Sequence, residues 1–249
     1  MRQNAVPAVL ARLGASLALC LLMLVPAFAG DRALINFLGY SEDGKYFAFE
    51  EFGVHDGSGG VYSSITIVDV VADKWVGGSP IVVDEGGDMD ESPPLATVRA
   101  KAMALATPKL KQFKVDVPVD IFYLLGEGMG NDKGKTVTFS TPSCCGPGTT
   151  QDDAMTLVLT PGYAKSDNDY CDDRNSFGFA LSLFDANGKR VVHDDGTKIP
   201  ASRGCPLDYR IYAVITPFEG DGPWIAMISS YPMGFEGPDR RFIAVPIVP

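Results

Sequence analysis

Histidine is nearly missing. Only His55 and His193 occur in 249 residues, which excludes a metal site built from several imidazoles. Basic residues are also short: 21 Lys and Arg stand against 31 Asp and Glu, a net charge of −10. A field of that sign repels a polyanion, so no nucleic-acid partner is expected. Catalytic signatures are wanting as well. The chain has no Gly-x-Ser-x-Gly elbow and no Cys-x-x-Cys pair. What is present suits a folded protein: 46% of residues are hydrophobic, enough for a core, and 27 Gly and 18 Pro supply frequent turns.

After residue 29 no long apolar run occurs, so no stable membrane span is expected beyond that point. Before it, Met1–Ala29 has the three parts of a cleavable secretory signal. Arg2 and Arg12 give a positive start, Leu13–Val25 is apolar, and Ala27-Phe28-Ala29 is a small-x-small cleavage site. Residues 30–249 are then expected to form a single exported domain, periplasmic or secreted. Export changes the meaning of the sulfur. Cys144, Cys145, Cys171 and Cys205 read as two disulfides in an oxidising compartment. Adjacent Cys144 and Cys145 would strain the peptide if joined, so each is expected to reach one of the other two.

Most of the chain reads as short β-runs between Gly, Pro, Asn and Asp. Candidates are Lys45–Phe52, Ser64–Val71, Val119–Gly126, Lys135–Ser140, Ala154–Thr160, Phe177–Asp185, Lys189–His193, Asp208–Thr216, Trp224–Ser230 and Arg241–Val248. Asn187-Gly188 marks a tight hairpin turn. One stretch has helical spacing: Leu95, Val98, Ala102 and Leu105, with Ser92 as cap and Pro108 as stop. The fold class is therefore mainly β, a propeller-like or sandwich sheet assembly with one substantial helix. The cations around that helix, Arg99, Lys101, Lys109, Lys111 and Lys114, read as a solvated face rather than an anion site. The glycine-rich stretches at 84–91 and 126–134 read as loops.

Three groups could carry chemistry. Glu50, Glu51, His55 and Asp56 sit beside a flexible Gly loop, and two carboxylates with an imidazole suit cation binding or acid–base work. Alternation along a strand sends Glu50 and Glu51 to opposite faces. Asp167, Asp169, Asp172 and Asp173 gather oxygens around Cys171, and Ca²⁺ is the ion they would suit. Glu236, Asp239, Arg240 and Arg241 could hold a carboxylate or phosphate, with Phe235 and Trp224 lining a partner groove. Each group also has a plainer reading, as a solvated hairpin loop, a disulfide-anchored surface loop and a turn respectively.

Tyr40-Ser41-Glu42-Asp43-Gly44-Lys45-Tyr46 followed by the aromatic run to Phe49, and then Ile65–Val70 and Trp75, resembles one blade of a TolB-type or WD40-like β-propeller. No second copy appears at a propeller's period. The segment from Leu38 to Gly59 and the closing stretch from Gly234 to Val245 together resemble a family of bacterial predicted secreted proteins (the domain of unknown function 2259 type). That resemblance implies export and brings no catalytic residues. The leading expectation is a non-catalytic binding or interaction module with a periplasmic or envelope protein partner. The alternatives are a carboxylate-based hydrolase, calcium-assisted near the 50–56 or 167–173 loop, and a structural envelope protein.

Overall fold

The computed structural model describes residues 30–87, 91–126, 132–140, 154–171, 176–218, 222–234 and 237–247. The expected secretory signal, Cys144, Cys145, Asp172, Asp173, Phe235 and Glu236 lie outside the described residues.

The first sheet is an antiparallel meander of β1 (Leu34–Ser41), β2 (Tyr46–Val54) and β3 (Val61–Asp69). It is extended past β3 by β4 (Lys74–Trp75) and β5 (Ile81–Glu85). On its other side β6 (Val115–Val117) pairs with β1. The blade-like turn forms as its residues dictate. Gly44 takes φ +68°, its N–H donates to Ser41 O at 2.9 Å, and Asp43 accepts from the Ser41 hydroxyl at 2.8 Å. The second sheet runs β16 (Arg241–Ile247), β15 (Trp224–Pro232), β14 (Pro206–Pro217), β7 (Val119–Leu124). The third runs β12 (Gly188–Asp194), β11 (Phe177–Asp185), β9 (Ala154–Tyr163), β8 (Thr136–Ser140). A two-stranded ribbon joins β10 (Lys165–Ser166) to β13 (Lys198–Ile199).

The three large sheets stack face to face with the second in the middle. Tyr40, Phe47, Phe49 and Val68 of the first sheet pack on Ile215, Met227 and Phe242 of the second. Phe179, Leu181, Leu183 and Leu157 of the third pack on its opposite face, against Ile211, Ile228 and Val245. Burial on both faces explains why β14 and β15 read as nearly unbroken apolar runs rather than alternating ones. None of the sheets closes on itself, so the architecture is a sandwich-like stack, and the propeller resemblance stays local to the β1–β3 meander.

The helix α1 spans Leu95–Gln112 and lies on the outer face of the first sheet. It departs from expectation at both ends. Ser92 makes no capping bond, and Pro94 is the N-cap. Pro108 stands inside the helix instead of ending it. A proline there removes one helical hydrogen bond, but Ala102, Ala106 and Leu110 keep packing on Ile65 across it, and that contact carries the helix one turn further. The buried stripe is Val98, Ala102 and Ala106, while Leu105 points to solvent.

The hairpin β11–β12 turns through Ala186-Asn187, one residue earlier than the Asn-Gly pair suggested, with Asp185 opposite Gly188. The sulfur pairing also differs. Cys171 is bonded to Cys205, so neither can reach Cys144 or Cys145 as the sequence reading expected. Both cysteines lie next to the β10–β13 ribbon, which brings them together across 34 residues of chain.

Candidate functional site

Glu50 and Glu51 separate as strand alternation requires. Glu50 faces the helix and is buried, 1% exposed. Arg99 grips it with two bonds, Nε to Oε1 at 2.9 Å and Nη2 to Oε2 at 2.7 Å. The Ser63 hydroxyl adds a third at 2.9 Å. Burial pushes the Glu50 carboxyl up, but these donors outweigh it and hold the group ionised below its usual range. Glu50 is thus a clamp between helix and sheet. Two other helix cations are engaged as well: Lys101 meets Glu85 at 2.5 Å, and Lys109 meets Gly77 O.

His55 sits between two carboxylates, Asp31 at 2.5 Å from Nδ1 and Asp84 at 3.1 Å from Nε2. Both ring nitrogens can donate only in the protonated ring. Burial opposes that charge, yet the two aspartates outweigh it and raise the His55 pKa. The Asp56 amide donates to Asp31 at 2.5 Å, and the Asp31 amide donates to Asp239 at 2.9 Å. Burial works against ionised Asp31, and His55, the Asp56 amide and Arg241 prevail, so its pKa falls. This network fastens the segment before β1 to the β2–β3 loop, β5 and β16. Neither Asp31 nor Asp84 carries a sequence pattern that would have marked it.

Arg240 is 3% exposed, and its guanidinium donates to Ala33 O at 2.9 Å through Nε. It ties the segment before β1 to β16. Arg241 has the other fate. Its Nη1 donates to the Tyr62 hydroxyl at 2.9 Å, its Nη2 lies 3.5 Å from Asp31, and the side chain reaches a cleft. Glu50, His55 and Arg240 therefore do not converge. Asp167 is paired with Lys198 at 2.8 Å and Asp169 is exposed. Among the described residues no group of three or more His, Cys, Asp or Glu is placed to hold a metal ion. Trp224 is partly buried and packs against the core, edge-on to Phe122 and Phe139.

Gly134-Lys135-Thr136 repeats the end of a phosphate-binding loop, but it leads into strand β8 rather than a helix. Lys135 is held by Asp208 at 2.5 Å and by Tyr209 O, so the resemblance carries no site.

The cleft, about 630 Å³, opens where the middle sheet ends. Its floor is β16, the end strand of that sheet. One wall is the β3–β4 corner of the first sheet, with Val68, Asp73 and Trp75. The other carries His193 of β12 and the Pro200–Gly204 segment beside the ribbon. Trp75 and Met233 stand on the lips, each about half exposed at 52% and 54%.

Glu51 reaches this floor and accepts the Phe242 amide hydrogen at 2.5 Å. Burial raises its carboxyl to about 7, against the pull of that amide and of Arg241. Behind one wall, Asp195 holds His193 at 3.0 Å, Arg203 at 2.5 Å and the Phe179 amide at 2.8 Å. Burial penalises that carboxylate too, and its donors still lower its pKa.

No described helix is long and apolar enough to cross a membrane. No curated protein and no solved structure matches the chain. The family described as predicted secreted proteins (DUF2259) matches residues 48–248, and the chain belongs to it.

Proposed function

We propose that this exported protein is a non-catalytic binding module whose ligand lies in the cleft over β16. One observation carries the reading. A concavity formed by all three sheets puts a half-exposed tryptophan, an arginine and a carboxylate around a sheet edge that no strand pairs among the described residues. Concave sites of a few hundred Å³ with apolar lips and a few converging polar groups are the usual form of ligand pockets.

The two tryptophans make a direct test. Trp75 is on the lip and Trp224 is partly buried, packed against the core between the second and third sheets. In the Trp224→Phe variant, emission reports the cleft alone. Titration with fractionated envelope peptides, glycans and lipids should give a saturable change with at least one fraction, abolished by Trp75→Ala when followed by calorimetry. A flat response to every fraction would remove the cleft as a ligand site.

A second reading has one observation behind it. Glu51, with its pKa near 7 in a cleft, is suited to general acid–base work. If the protein turns over generic ester, glycoside or peptide substrates and Glu51→Gln stops it, the carboxylate hydrolase is the correct reading.

A further inference from the structure

The strand β16 ends the middle sheet; at Arg240, just before it, the outward row of main-chain groups is paired with residues 31–33, and from Phe242 onward no strand lies beside that row among the described residues. The Phe242 amide identifies that row, because its hydrogen leaves β15 and goes to Glu51. Main-chain direction alternates with period two, so Ala244 and Pro246 also face away from β15. Ile243 and Val245 face β15, opposite Ile228 and Ala226. Pro246 fits this assignment, since a proline within a sheet belongs where its missing N–H would have faced no partner strand. Ala244 therefore presents its N–H and its C=O side by side into the cleft, with no strand paired to them among the described residues.

We infer that this edge takes an extended peptide segment of a partner protein as an added strand, centred on Ala244. The inference rests on reading the cleft as the ligand site and names the ligand's class. One residue of an extended chain supplies the carbonyl and amide that Ala244 needs. Its neighbours two positions away can donate to the Phe242 and Pro246 carbonyls. Glu51 already occupies the place a neighbouring strand's carbonyl would take at Phe242, so it marks one end of the added strand. The span from Phe242 to Pro246 is about 13 Å at ~3.3 Å per residue, which suits roughly five peptide residues.

Several features favour a lone peptide over other occupants. The edge is recessed between the Trp75 wall and the Gly204 wall, which obstruct the blunt edge of a second folded copy. A single strand needs only ~4.8 Å beside β16. Both signs of charge line the floor and rim, Glu51 and Asp239 with Arg241, and Asp73 with Lys74. That balance complements mixed peptide side chains and gives a polyanion nothing to follow. Trp75 and Met233 offer apolar contact to side chains that alternate along a bound strand.

The test uses the full chain and two pools of capped five-residue peptides of randomised sequence, one ordinary and one N-methylated at alternate backbone nitrogens. Retention is read by affinity selection and mass spectrometry. Ordinary peptides should be retained at least tenfold over methylated ones, and the Ala244 amide should shift in the ¹⁵N–¹H spectrum and exchange more slowly. Ala244→Pro removes the outward N–H without touching the ladder to β15, and should cut retention at least tenfold with an unchanged circular dichroism spectrum. Equal retention of the two pools, no retention of either, or dimerisation through this edge would each overturn the inference. Should Ala244→Pro fail to fold, the comparison of pools on the unaltered protein still decides. If no peptide binds while Trp75 emission titrates with another fraction, the peptide falls and the cleft stands. If Trp75 stays silent throughout, the cleft reading itself has failed.

Discussion

Glu50 and Glu51 are chemically identical and adjacent, yet their surroundings push their pKa values apart. Glu50 is ionised against Arg99, and Glu51 holds its proton up to about 7. The consequence for stability has a definite sign. Between about pH 4.5, where the unfolded Glu51 titrates, and about 7, the native state binds a proton that the unfolded state has released. Stability therefore falls as pH rises through that window. Glu51→Gln keeps an acceptor for the Phe242 amide and removes the titration. Urea melts at pH 5 and pH 8 should show the variant more stable than the parent at pH 8 only, by on the order of 2 kcal/mol. An equal difference at both values would mean that Glu51 is ionised throughout. His55 contributes the same sign at higher pH, since its stabilisation is full below its ordinary pKa of 6.5 and is lost as pH rises through its raised one. The first candidate group was legible as residue types, and alternation told that the two glutamates part. Which of them meets the cleft was not legible, because that depends on which face of the first sheet receives the helix.

At the scale of elements, α1 is held to the first sheet by apolar contact and by the Arg99–Glu50 clamp. Arg99 also lies over the Phe52 ring, 3.7 Å from its centroid. The two partners are not equivalent. The Glu50 side chain is 2% exposed and the Arg99 side chain 35%. Arg99→Ala leaves a buried carboxylate without its cation, a loss of about 3–5 kcal/mol. Glu50→Ala leaves a guanidinium that can turn toward water, so its cost should be smaller, about 1–3 kcal/mol. Paired melts of the two variants check the order, and equal costs would show that Glu50 is rescued by solvent. Carboxylate protonation gives the same result by another route. The contribution of Glu50 is present above the ordinary glutamate pKa and disappears as pH drops through its lowered value. The helix itself was legible from its spacing, but its end was not. Local preference stops a helix at Pro108, and packing of Leu110 on a sheet formed by distant residues overrides it. Strands β1 and β5 escaped notice for a related reason, since β1 is broken by a bulge at Gly39 and β5 is short.

At the scale of the whole molecule, the β class follows from short apolar runs and turn residues, while the stacking order does not. Periodicity says that β14 and β15 are covered on both faces and cannot say by what. The cleft was illegible for the same reason, being assembled from the ends of all three sheets. Its Gly204 wall is anchored by the Cys171–Cys205 bond, which only an oxidising compartment sustains. Closing a loop of 34 residues restricts the unfolded chain by about 4 kcal/mol in the entropy model. For a chain of this size that corresponds to a melting point lower by roughly 8–15 °C once the bond is gone. Reductant should lower the transition of the unaltered protein by that much. The Cys171→Ser, Cys205→Ser double variant should melt at the lower temperature with or without reductant. It should also bind any cleft ligand more weakly, because Gly204 is then tethered only by hydrogen bonds such as the one from Ser166 to its carbonyl. A melting point unmoved by reductant would show that the ribbon and its wall hold their place without sulfur.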